Sequence, residues 1–257
     1  MKQRTLTGVV LALISMVLLS CFHFPYVPEL TALCLGCGAV WEILGAYGVK
    51  SRALRIVGYA YAILLPFFPF GENKYWMLVL LVLGLGYFTY LMHWIGKPAK
   101  AWMPGVSVFF AVSLYRGLAA YGKLPHGAVS LCLTGVICAL TDIFAYLVGS
   151  RFGKHKLAPK VSPGKSIEGA LGGLIATVVI VTLVFPPYLG NAWLLALYAC
   201  VCSILGQWGD LSMSAVKRVA GVKDFGKIFP GHGGILDRCD SMMYPLAFTW
   251  LLYCFLK

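Results

Sequence analysis

Residues 191–240 read NAWLLALYACVCSILGQWG, then DLSMSAVKRVAGVKDFGKIFPGHGGILDRCD. The first nineteen residues carry no charge and have the length needed to cross a bilayer core, about 20 residues as a helix. The rest holds four of the chain's nine carboxylates (Asp210, Asp224, Asp237, Asp240) and five of its 21 Lys/Arg residues. Such charge beside an apolar helix is costly unless it faces water, a metal or an opposite charge. The segment therefore reads as chemistry held at a membrane surface. Within it, Pro230-Gly231-His232-Gly233-Gly234 can present successive backbone amides to an anion, because glycine permits backbone angles other residues avoid. Carboxylates for a cation, with ammonium groups and amides for phosphate, make up a metal-assisted phosphate site.

The whole chain agrees with that reading. Of its 257 residues 60% are hydrophobic and only 12% charged, with mean hydropathy +0.83. Soluble domains have roughly 45–50% apolar and about 25% charged residues. The formal charge of +12 fits Lys and Arg gathered in cytoplasmic loops, and no nucleic-acid-binding motif is present. The nine cysteines lie mostly in apolar runs. Cys34 and Cys37 form a CxxC with no second pair to complete a metal set.

Nine apolar stretches have spanning length: 5–24, 30–49, 53–70, 75–95, 101–121, 127–149, 168–187, 191–209 and 240–256. The first follows Lys2 and Arg4 as a signal peptide would, but reads better as an uncleaved helix. With nine spans, seventeen Lys/Arg fall at the N-terminus and even-numbered connections, against two (Lys74, Lys123) on the other side. That asymmetry predicts an all-α polytopic membrane protein with a cytoplasmic N-terminus and an external C-terminus. The two long connections, about 150–167 and 210–239, both fall on the cytoplasmic side, where long polar connections tend to be functional. Residues 1–125 form a helical scaffold, and 126–257 a catalytic region carrying the two loops. No organellar targeting segment is evident, and the expected location is a bacterial cytoplasmic (inner) membrane.

If the eighth helix runs on past Asp210, then Asp210, Ser214 and Lys217 share one face at i, i+4 and i+7. If it stops there, the helix macrodipole disfavours an acid and a cationic partner is still needed. Asp240 fits the N-cap of the last helix, which leaves Asp237 free for a hard divalent cation. His232, in the glycine-rich turn, suits contact with phosphate or proton transfer. In the other loop, Gly164-Lys165-Ser166 echoes a Walker A tail, but Pro159 occupies the position of its first glycine and no strand precedes it. Ser166-Ile167-Glu168-Gly169 can still start the seventh helix with its positive end towards phosphate. Asp142, deep in the sixth span, is a functional candidate by depth alone. Glu42, in the second span, has no partner visible in the sequence.

Ser214-Ala-Val-Lys217-Arg218, Lys223-Asp224 and Pro230-Gly231-His232-Gly233-Gly234-Ile-Leu-Asp237-Arg238-Cys-Asp240 together resemble the signature of the phosphatidate cytidylyltransferases. Asp142, Phe152-Gly153-Lys154 and Ser162-Pro163-Gly164-Lys165-Ser166-Ile167-Glu168-Gly169 resemble that family's second characteristic region, with Ser166 in place of Thr. The likeness covers the C-terminal half. It implies a homodimeric membrane enzyme that transfers CMP from CTP to phosphatidic acid, giving CDP-diacylglycerol and pyrophosphate. It further implies Mg²⁺ on Asp210 and Asp237, with room for a monovalent cation such as K⁺. Asp210, Asp237, Lys217 and His232 are then the catalytic residues. Asp142, Lys165, Ser166, Glu168, Ser214, Arg218, Lys223, Asp224, Gly231, Gly233, Gly234, Arg238 and Asp240 surround the substrates. The phosphate of phosphatidic acid is already an ionised nucleophile, so charge neutralisation and in-line positioning carry most of the catalysis.

Two other readings share some of these features. A CTP-dependent polyprenol or dolichol-type kinase would transfer the γ-phosphoryl group, and the complete Pro-Gly-His-Gly-Gly…Asp-Arg…Asp pattern argues against it. A transporter would place its charges near the bilayer midplane in paired halves, whereas here they gather at one surface and in one half.

Overall fold

The computed structural model describes residues 2–67, 74–124, 126–186, 190–226, 228–229 and 233–256. Helix α1 is Lys2–Cys21, α2 Val27–Ala46, α3 Arg52–Leu64 with a 3-10 turn at Leu65–Phe67, and α4 Lys74–Trp94. Helices α5 (Met103–Tyr115) and α6 (Gly117–Tyr121) meet at Arg116, whose Nε donates to Leu65 O at 3.1 Å. Helix α7 is Gly127–Phe152, followed by strands β1 (Lys156–Ala158) and β2 (Ser162–Ser166) and helix α8 (Ile167–Val184). Helix α9 is Ala192–Val219, and the chain closes with α10 (Leu236–Cys239), a 3-10 turn at Asp240–Met242, and α11 (Met243–Leu256).

Six helical stretches among the described residues are long and apolar enough to cross a membrane: Val27–Ala46, Tyr75–Trp94, Met103–Tyr121, Gly127–Phe152, Ile167–Val184 and Ala192–Val219. The other three expected spans, 5–24, 53–70 and 240–256, fall on α1, α3 and α11, which are not among the six, and residues 68–70 lie outside the described residues. The α5–α6 rod is the most fully buried of the six. Its Met103, Ala111, Leu114, Tyr115 and Tyr121 are fully inaccessible and pack with Ile43 of α2, Phe88 of α4, Met213 and Val216 of α9, and Tyr244 of α11. A second cluster (Leu133, Ile137, Val181, Ala199, Cys202) joins α7, α8 and α9.

The sequence leads to an all-α expectation, but the sixth connection folds into an antiparallel hairpin, with Lys156 opposite Ser166 and Ala158 opposite Ser162. Gly164-Lys165-Ser166 therefore sits on a strand. Glu168 fastens this hairpin: its carboxylate accepts from the backbone amides of Lys154 (3.1 Å) and His155 (3.2 Å) and meets His155 Nδ1 at 2.6 Å. Ser166 ends the hairpin and starts α8, its hydroxyl accepting from Gly169 N at 3.1 Å as an N-cap.

Helices α7 and α8 approach closely because small residues line the seam. A Cβ on Gly169 would stand 2.6 Å from Ala145 O, and one on Gly173 2.6 Å from Thr141 O. This contact sets Asp142 of α7 beside the start of α8. Helix α9 does continue past Asp210 and ends at Gly221 (φ +76), where Val222 N donates to Lys217 O at 2.9 Å.

Candidate active site

Helix α9 carries Asp210, Ser214 and Lys217 at i, i+4 and i+7. Ser214 Oγ donates to Asp210 Oδ1 at 3.2 Å, and the other Asp210 oxygen accepts from the Lys165 ammonium on β2. Asp210, Lys165, Ser166 and Asp142 line one cavity of about 380 Å³, walled by α7 (Tyr146, Gly149), the hairpin, Ala170 and Gln207. That volume lies in the range of small-molecule sites, roughly 300–1,000 Å³. Gly209 lets the next turn come close: a Cβ there would meet Asp240 O at 2.4 Å. Asp210 is thereby set between Asp142 across the cavity and the turn that carries Asp240.

One turn further along α9 the chemistry goes inward. Lys217 Nζ donates to Asp237 Oδ1 at 2.6 Å and lies 5.3 Å from the centre of the Phe225 ring. The two side chains are only 10% and 3% exposed. Asp237 Oδ2 accepts from Phe225 N at 3.0 Å and Gly234 N at 2.9 Å. Burial pushes the Asp237 pKa up, but the Lys217 hydrogen bond and these two amides outweigh it and hold the carboxyl below its ordinary value.

One expectation changes here. Asp240 is not the N-cap of the last helical segment. That segment begins at Leu236, with Ile235 in the cap position, and Asp240 Oδ1 accepts instead from Ser241 N at 2.9 Å. The described amides in and just after the glycine-rich turn have partners within the protein. Gly234 N is on Asp237, Gly233 N donates to Phe229 O at 3.1 Å, and Ile235 N and Leu236 N donate to Glu42 Oε1 and Oε2 at 2.8 Å each. Glu42, with no partner visible in the sequence, thus grips this turn from α2. Its one signal was a carboxylate inside an apolar span.

The remaining expected residues separate by place. Arg218 ties the hairpin to the connection after α9, donating to Val161 O and Val222 O at 3.1 Å each. Glu168 is occupied by the hairpin. Lys223, Asp224 and Arg238 are exposed. Gly231 and His232 lie outside the described residues.

A divalent cation is tested by the donors present. No group of three or more His, Cys, Asp or Glu side chains forms a ready-made metal cluster among the described residues. Asp210 supplies hard oxygen donors to the cavity beside Asp142, and both of its oxygens carry partners, Ser214 and Lys165. Asp237 has the right chemistry, but Lys217 and two amides occupy its oxygens.

The cytidylyltransferase family profile matches residues 2–256. Among curated relatives, the phosphatidate cytidylyltransferases of Staphylococcus haemolyticus and Staphylococcus epidermidis are each 34% identical to this chain, over 264 and 260 residues and 98% of both chains. That of Staphylococcus aureus (strain COL) is 44% identical over 134 residues, 51% of this chain and 52% of its own. With a cavity of carboxylate, ammonium and hydroxyl groups at the end of an apolar helix, and a match from end to end, the chain belongs to the cytidylyltransferase family.

Proposed function

We propose that this protein transfers the CMP group of CTP to phosphatidic acid, releasing pyrophosphate and leaving CDP-diacylglycerol in the membrane. The observation that carries this reading is the cavity where Asp210 of α9 meets Lys165 of the hairpin beside Asp142. An oxygen of the lipid phosphate attacks the α-phosphorus of CTP, a new P–O bond forms, and the bond to the β-phosphate breaks. Lys165 neutralises phosphate charge at the cavity mouth, and Ser214 holds the Asp210 carboxylate in orientation. Lys217, released from Asp237, would turn to the departing pyrophosphate, with Arg218, Lys223 and Arg238 as the surrounding cations. His232, Gly231, Gly233, Gly234, Ser166, Glu168, Asp224 and Asp240 frame the substrates in this reading. Mg²⁺ would be held by Asp210 and, once Lys217 leaves it, Asp237, and would supply Lewis-acid stabilisation of developing phosphate charge. A monovalent cation such as K⁺ would share the acidic side of the site.

The same reading gives nine spans with a cytoplasmic N-terminus, supported by the seventeen-to-two distribution of Lys and Arg. It places the site on the cytoplasmic face of the cell (inner) membrane, where CTP is available, in a homodimer. Purified protein supplied with CTP and phosphatidate should release pyrophosphate only when Mg²⁺ is present, and Asp210→Asn should abolish the release while eluting as the same folded species. Pyrophosphate release unaffected by chelation, or by Asp210→Asn, would remove the metal assignment.

A further inference from the structure

We infer that Glu42 is a positioning residue, the clamp by which the N-terminal scaffold fixes the segment carrying Asp237. This rests on the cytidylyltransfer reading above and deepens it. Glu42 lies in α2 and is 3% exposed. Its two oxygens accept one amide each, Ile235 N and Leu236 N at 2.8 Å. These are the two residues just before Asp237, and they lie 193 and 194 positions along the chain from Glu42.

The surroundings are shaped for that carboxylate. A Cβ on Gly234 would stand 2.2 Å from Glu42 Oε1, and one on Gly226 3.1 Å away. Gly38, one turn earlier in α2, receives the Ile235 side chain, with a would-be Cβ at 3.3 Å from Ile235 Cδ1. Helix α2 therefore holds the segment both by its backbone and by its Ile235 side chain. The charges of Asp237 and Lys217 reach Glu42 as well, while the Lys217 ammonium itself pairs with Asp237.

Geometry explains why Glu is needed. A carboxylate presents an acceptor to each of two neighbouring amides. Glutamine presents one acceptor and one N–H₂, which faces one of the amides donor to donor. Alanine leaves both buried amides unpaired, a costly arrangement. Either change frees the turn that aims Asp237 at Lys217. Glu42 itself need not touch a substrate, so the consequence falls on turnover rather than on substrate affinity.

The test uses full-length protein in nanodiscs with Glu42→Gln, Glu42→Ala and Glu42→Asp. Amide hydrogen exchange at residues 235 and 236 should be at least ~10-fold faster in the first two than in wild type. Their kcat for pyrophosphate release should fall at least ~10-fold, with KM for CTP and for phosphatidate within about threefold. Glu42→Asp, which keeps the charge and can reach one amide, should recover part of both. If Glu42→Ala does not fold, the isosteric Glu42→Gln decides. Wild-type kcat in a folded Glu42→Gln protein overturns the inference, whether or not its thermal midpoint drops. So does wild-type amide protection at 235 and 236. Wild-type protein that releases no pyrophosphate overturns the cytidylyltransfer reading instead, and the exchange measurement still tests the clamp.

Discussion

Removing the Lys217 ammonium is the most incisive perturbation of the buried layer. Lys217→Met keeps most of the side-chain stem, so the main loss is the ammonium 2.6 Å from Asp237 Oδ1, which leaves a carboxylate only 3% exposed without its counter-charge. Breaking a buried ion pair by deleting one partner costs about 3–5 kcal/mol. The amides of Phe225 and Gly234 remain on Oδ2, which places the expected loss near the low end, ~3 kcal/mol. Asp237→Asn should cost a similar amount, because its amide group must turn a donor towards Lys217 or towards the two backbone amides. The double variant should lose less than the sum, with a coupling of about 2 kcal/mol. Unfolding of the purified protein in mixed detergent–SDS micelles, with chelator present, measures all four species. Additivity within about 0.5 kcal/mol would refute the pairing. The pH dependence has a defined sign. Asp237 has a depressed folded-state pKa, so its contribution is present above the unfolded value and lost as pH falls through the folded one. The gap between wild type and Lys217→Met should shrink as pH falls, starting where the variant's Asp237, with burial no longer offset by the ammonium, takes up its proton, and ending below the wild-type folded pKa.

Asp210→Asn should lower CTP-dependent conversion of phosphatidate at least ~100-fold with an unchanged elution volume, since it removes the charge that faces Lys165 and the cavity. Gly234→Ala drives a methyl group into Glu42 Oε1 and should destabilise the protein by about 1–3 kcal/mol, read in the same SDS titration. Glu168→Ala should release the hairpin from α8, seen as faster tryptic cleavage at Lys156 and Lys160; an unchanged cleavage rate would deny Glu168 its fastening role.

Much of this arrangement is legible in the chain. The spacing of Asp210, Ser214 and Lys217 foretells their shared face because a helix repeats every 3.6 residues, and Ser166 foretells the start of α8 because a hydroxyl there can take a free amide. The hairpin is not legible. Ser162 to Ser166 reads SPGKS, with no alternation of apolar and polar residues, and the hairpin is held by Glu168 from outside the strands. The Asp240 N-cap assignment fails locally for a related reason. The helical path starts four residues before Asp240, where α2 supplies the capping oxygens from almost two hundred residues away. Glu42 is visible in sequence only as a carboxylate in an apolar span, since no local pattern encodes so distant a partner. The glycine-rich turn invites a phosphate reading; its described amides hold Asp237 and Phe229, and the two that follow hold Glu42.

The most direct measurement follows the label. Purified protein in Mg²⁺ and phosphatidate vesicles is given CTP radiolabelled either at the α- or at the γ-phosphate. The account predicts that the α label enters the lipid and the γ label leaves as pyrophosphate. Appearance of the γ label in the lipid, with CDP released, would contradict it.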